Sequence, residues 1–190
     1  MNTTADALLA AALDRKLIPT GSSVLTRELA FELVREMPYR RAADRAPLTT
    51  IREWRGTCSG KHYLLQAVLA ELGLATDLIA CTTYVKADPA LLPEPLAAIL
   101  EEGPVPDVHN FLRAPWIIDA TWPLAARSYG IAVNPRFTEG RDMALPCDPI
   151  REFRVAVDAD AQAFKDALLA EHFGGHELER RTRFFTALAG

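Results

Sequence analysis

Gly56-Thr57-Cys58-Ser59-Gly60-Lys61-His62-Tyr63-Leu64-Leu65, continuing through Val68 and Leu69 to Leu72-Gly73, is the stretch on which the fold turns. Tyr63, Leu64, Val68, Leu69 and Leu72 recur at helical spacing and Gly73 supplies a stop, which predicts a helix over 59–72. Cys58 then stands at its N-terminus. A thiol there meets backbone N–H groups that lack intrahelical partners, and the positive end of the helix dipole. Both favour thiolate, the form that attacks carbonyl carbon. The alternative is a buried structural cysteine packing as a small hydrophobe.

On the C-terminal side, 76–85 is rich in β-branched residues and reads as a strand, and 88–102 as a helix punctuated by proline. Two further strands, 108–113 and 116–121, flank a tight turn. A turn centred on Ala114 sets His109 directly opposite Asp119, with Cβ atoms about 4.5–5.5 Å apart on one face. At that range a carboxylate accepts the proton of one imidazole nitrogen and leaves the other free as a base. A slip of one residue would send the two to opposite faces. Phe111 and Ile117 share that face and wall the pair. Asp119 lies in the apolar run 116–122, where a carboxylate needs a partner. The chain thus presents a nucleophile, a base and an orienting acid in the order Cys58, His109, Asp119.

On the N-terminal side, helices are predicted over 5–16 and 24–37, separated by Pro19-Thr20-Gly21. Ser22 or Ser23 would cap the second and Pro38 stops it. The segment 39–55 is basic and irregular, with a short helix at 50–54. Beyond the hairpin, 127–149 reads as a long loop able to cover a cleft, with Arg136, Phe137 and Arg141 in it. A strand over 152–157 and closing helices over 160–173 and 176–188 follow, the last two divided by Gly174-Gly175. Helices first and a small antiparallel sheet afterwards predict an α+β fold and not alternating βαβ units.

The 190 residues predict a single domain spanning 1–190. With 49% hydrophobic and 24% charged residues, the composition is globular, and the net charge of −4 excludes a chain-wide electrostatic binder of nucleic acid. Apolar runs such as 8–13 fall far short of the roughly 18 residues that span a bilayer. The start, Met1 to Asp6, has no basic region of a signal peptide. Three cysteines, Cys58, Cys81 and Cys147, cannot all pair, which predicts free thiols and a cytoplasmic location. Gly56 to His62 imitates a phosphate loop but is one residue short and has His where Ser or Thr would hold magnesium. His172 and His176 are four apart, but Gly174-Gly175 breaks the helix that would align them on a metal.

The segments Gly56-Thr-Cys58-Ser-Gly-Lys-His-Tyr-Leu-Leu and Val108-His109-Asn-Phe, with Trp116-Ile-Ile-Asp119-Ala-Thr-Trp-Pro, resemble the transglutaminase-like superfamily across about 39–123. That resemblance implies a papain-like α+β core with the nucleophile helix packed on a small antiparallel sheet. It implies a thiol acyl-transfer site with Cys58 as nucleophile, His109 as base and Asp119 as orienting acid. The expected activity is cleavage or transfer at an amide or ester bond of a peptide, a protein or a small substrate. That chemistry requires no metal or organic cofactor. A different class is a binding module that keeps the fold without turnover. A third is acyl transfer from a thioester such as coenzyme A, hinted at by the basic stretch.

Neighbouring residues leave further choices. Trp54 is either an oxyanion donor or a core or groove wall, and the Cys58 backbone N–H is the more natural donor. His62, one turn after Cys58, either competes as a base or lies buried behind it. Lys61 is expected to point to solvent. Arg40, Arg41, Arg45, Arg52 and Arg55 form either a solvated basic face or a surface recognising acidic groups.

Overall fold

The structure, a computed structural model, describes residues 3–156 and 160–189. Helices α1 (Thr4–Asp14), α2 (Arg27–Glu36), α3 (Pro47–Glu53) and α4 (Cys58–Glu71) come first. Strand β1 (Asp77–Tyr84), helix α5 (Leu96–Glu101) and strands β2 (Pro106–Arg113), β3 (Ile117–Ile118) and β4 (Arg151–Arg154) follow. Helices α6 (Ala161–His172) and α7 (Gly175–Ala189) complete the α+β architecture. The strands form one antiparallel sheet in the order β3-β2-β1-β4.

Helix α4 is central. It packs on α1, α2 and α3 and against β2, and Leu64, Leu65, Val68 and Leu69 are sealed in the main core. Its start is keyed to the sheet by a buried hydrogen bond from Ser59 Oγ to Asn110 Oδ1 at 2.8 Å. Helix α3 approaches closely: a Cβ on Gly60 would lie 3.3 Å from Thr50 Oγ1. Helix α6 lies against β1 and β2, while α7 packs on β2 and on α5. Around α7, Phe184 joins Leu96, Ile99 and Val105 in a separate apolar cluster.

Several boundaries differ from the sequence reading. Thr26, and neither Ser22 nor Ser23, caps α2, its side chain accepting from the Leu29 N–H at 3.2 Å. The short helix begins at Pro47, because proline suits a first helical turn. The predicted helix over 88–102 divides into a 3₁₀ turn, Pro89–Leu91, and α5, since Pro93 and Pro95 interrupt the backbone bonding. Part of the 127–149 stretch continues a 3₁₀ segment, Leu124–Tyr129. Strand β4 is shorter than predicted, and Val157 lies outside the described residues.

The hairpin register also differs. Leu112 pairs with Ile118 and Arg113 with Ile117, so the turn centres on Pro115 and not on Ala114. Strand pairing ends at Ile118, and Asp119 follows as irregular backbone. The registry error is even-numbered, and it leaves the expected face intact.

Candidate active site

The sheet and α4 bring Cys58, His109 and Asp119 together. His109 is central in β2, opposite Cys81 of β1, and its ring is stacked 6.4 Å from that of Phe111. Its Nε2 donates to Asp119 Oδ2 at 2.6 Å, with both side chains buried. The other carboxylate oxygen accepts the Thr121 N–H at 2.9 Å, which fixes the carboxylate orientation. With Nε2 committed to Asp119, Nδ1 is the ring nitrogen left for the nearby Cys58 thiol, which helps to raise the His109 pKa.

Cys58 is the first residue of α4 and is 1% exposed. No side chain caps this helix end, so the N–H groups of its first turn have no cap partner. Lys165, on α6, places its Nζ 3.4 Å from Cys58 Sγ. Burial pushes the thiol pKa up, but the Lys165 ammonium and the hydrogen bond and charge of His109 overcome it, bringing the thiol down to about 6. Burial alone would disfavour imidazolium, yet the Asp119 carboxylate holds His109 well above the ordinary histidine value. Asp119 is correspondingly held below the ordinary carboxylate value, against its burial, by His109. These shifts all act in the direction of a thiolate–imidazolium pair backed by a carboxylate.

Two residues next to the thiol carried no sequence signal. Lys165 is one; it lies on a helix remote in the chain. Tyr39 is the other, its phenol near enough to Cys58 for the thiol's charge to act on it. An isolated parallel bridge between Tyr39 and Gly56 brings it beside the start of α4, and its ring stacks on Trp122 at 4.0 Å. Burial and the nearby thiolate push the Tyr39 pKa well up, so it remains a neutral donor.

His62 is fully buried and occupied at both ring nitrogens. Nδ1–H donates to the Cys58 carbonyl at 2.8 Å, and Nε2 accepts the Ala120 N–H at 3.0 Å. Burial drives its pKa down to about 4, so it stays neutral. Both ring nitrogens are thus held by backbone groups, and neither is left free to act as a base. Trp54 also falls away from the site. It ends α3 in the left-handed conformation, packs against the main core and lies under the Arg15 guanidinium at 4.9 Å. Lys61, expected at the surface, is completely buried. Its Nζ donates to the carbonyls of Arg35 at 2.9 Å and Thr121 at 2.8 Å, and burial lowers its pKa to about 7. The helical turn that carries it faces α2 and the Asp119–Thr121 segment, which supply the acceptors.

The arginines divide. Arg55 pairs with Glu53 at 2.6 Å, and Arg52 lies 4.0 Å from it. Arg40, Arg41 and Arg45 line a cavity together with Lys165. Cys81 and Cys147 are buried free thiols with sulfurs 4.0 Å apart, beside Phe111 and Ile79. In the long loop, Phe137 is buried against Phe31 while Arg136 and Arg141 stay exposed. His172 Nδ1 donates to the Leu168 carbonyl, and His176 is solvent-exposed. Among the described residues there is no cluster of three or more His, Cys, Asp or Glu able to hold a metal ion, and no helix long and apolar enough to cross a membrane.

No family model, curated protein or solved structure matches this chain.

Proposed function

We propose that the chain is a thiol acyl-transfer enzyme acting on an amide or ester bond, built like the transglutaminase-like superfamily it resembles. The observation that carries this is the Cys58 thiol, ionising at about 6 between Lys165 and a His109 anchored 2.6 Å from Asp119. The Cys58 thiolate attacks the substrate carbonyl carbon and forms a C–S bond. The backbone N–H of Cys58, at an uncapped helix start, stabilises the oxyanion. The His109 imidazolium gives its proton to the leaving nitrogen or oxygen as that bond breaks. His109 then takes a proton from water, which displaces sulfur and releases the acid. Asp119 keeps the imidazole in one tautomer throughout. Hydrolysis is favoured over amine transfer because a small domain has little surface with which to exclude water.

The test is the pH profile of iodoacetamide alkylation at each cysteine, read by peptide mass spectrometry. Cys58 is expected to titrate with a midpoint near 6, and His109→Ala to move that midpoint upward. A Cys58 midpoint at the ordinary thiol value of about 8.5 would overturn the proposal. The 1% exposure of Cys58 favours a second reading, a binding module without turnover. Failure of every amide and ester probe to acylate Cys58 would select it.

A further inference from the structure

Two cavities flank the Cys58 cluster, one bordered by His109 and the other by Lys165, and Cys58 itself is buried between its neighbours and lines neither. One, of about 370 Å³, includes His109 in its lining, with Leu92, Leu96, Trp122, Ile131 and Phe184. Its charged lining residues are engaged: Lys86 lies 2.9 Å from each oxygen of Asp148, and Arg181 Nη2 lies 2.8 Å from Asp107. The other, of about 560 Å³, reaches Lys165 and Thr57 and is lined by Arg40, Arg41, Arg45 and Arg181. Among the described residues, Arg41, Arg45, Lys165 and Arg181 face two carboxylates there, Asp107 and Asp166. Asp107 is held by Arg181, and Asp166 accepts from Gln162 at 2.5 Å. Arg45 donates through Nη2 to Gln162 Oε1, while its Nε is buried with no hydrogen-bond partner. In a chain of net charge −4 this positive concentration is local and complementary to an anion. Guanidinium forks match carboxylate geometry in particular. Tyr39, Asp107, Phe185 and Leu188 border both cavities, so a single ligand can extend from the His109 side to the Lys165 side, and Lys165 Nζ is 3.4 Å from the thiol.

Chemistry assigns the two ends. The general acid must reach the leaving atom, so the leaving group lies on the His109 side, in the apolar cavity. The acyl chain lies on the Lys165 side, among the arginines. We infer that the substrate joins a carboxylate-bearing acyl chain to an apolar amine or alcohol. This rests on the acyl-transfer reading above. The thiolate bonds to the carbonyl carbon, the bond to the apolar group breaks, and the His109 proton leaves on the apolar amine or alcohol. Water then replaces sulfur and releases a dicarboxylic acid.

The probes are glutaryl-4-nitroanilide and pentanoyl-4-nitroanilide, which share chain length and leaving group and differ in the terminal carboxylate. Binding to Cys58→Ala, measured by calorimetry, reads recognition without turnover. The glutaryl probe is expected to bind at least about tenfold tighter, the effect of one satisfied charge-assisted contact. Adding Arg41→Gln and Arg45→Gln is expected to abolish the difference, with a thermal melt confirming the fold. Equal or undetectable binding of the two probes overturns the inference. Nitroaniline release by the unmodified protein tests the reading beneath it. Release from both probes at equal kcat/KM leaves acyl transfer standing and overturns the substrate assignment. Selective binding with no release and no acyl group on Cys58 overturns acyl transfer, and the substrate assignment with it.

Discussion

Lys165 Nζ stands 3.4 Å from the sulfur of Cys58, and its charge, ahead of His109, lowers the thiol pKa against burial. Lys165 is itself buried, which strengthens its field at the sulfur. Replacing it by methionine fills similar volume and removes the charge. The Cys58 midpoint, followed by the ultraviolet absorbance of the thiolate, is expected to rise by about 1–2 pH units. An unchanged midpoint would leave His109 alone responsible for the acidic thiol.

Asp119→Asn keeps the shape of the acid and removes its charge. Turnover of any substrate found is expected to fall by about 10³-fold or more, the loss typical of an imidazole left without its carboxylate. The native protein also gains stability from this group, whose pKa is lowered by His109 against its burial. That contribution is present above the unfolded carboxylate value of about 3.9 and disappears as pH falls through the lower folded value. Urea unfolding at pH 7 and at pH 3 is therefore expected to show the variant's deficit shrinking in acid.

His62 is also shifted downward, but because burial disfavours its charged form. Its folded pKa is lowered to about 4, while the unfolded chain binds the proton near 6.5. The unfolded state holds more protons between those values, so stability falls as pH drops through this window. The loss approaches about 3 kcal/mol once pH is below the folded value. His62→Gln, which retains a donor and an acceptor, is expected to lose much less between pH 7 and pH 4.5 in the same urea assay. Equal acid sensitivity would show that other groups govern it.

The Ser59–Asn110 hydrogen bond is buried at both ends. Ser59→Ala leaves the Asn110 carbonyl oxygen without its donor, at a cost of about 1–3 kcal/mol in urea unfolding. The double change Ser59→Ala with Asn110→Leu is expected to recover part of that cost, because the Asn110 oxygen is removed with its donor, at the loss of the weaker 3.3 Å bond from Asn110 Nδ2 to the Ile79 carbonyl.

The helix of Cys58 and the His109–Asp119 pairing were legible because both follow from local periodicity. Side chains repeat every two residues along a strand, so the hairpin was read correctly in parity even though its turn centres on Pro115. The strand after the turn was overestimated, because apolar residues from Trp116 onward look like strand whether or not a neighbour pairs with them. Lys165 and Tyr39 were illegible for another reason. Lys165 lies 107 residues from Cys58, on a helix whose own pattern says only that it is amphipathic. Lys61 was misplaced because a lysine on a helix gives no local sign that the backbone of another element will supply acceptors for it.

One ring links the residue that attacks to the segment that holds the acid. His62 binds the carbonyl of Cys58 on one side and the N–H of Ala120, next to Asp119, on the other. The start of that helix and the backbone beside the carboxylate are therefore tied through one imidazole, so the spacing between Cys58 and Asp119 is braced by a side chain and not by the sheet alone.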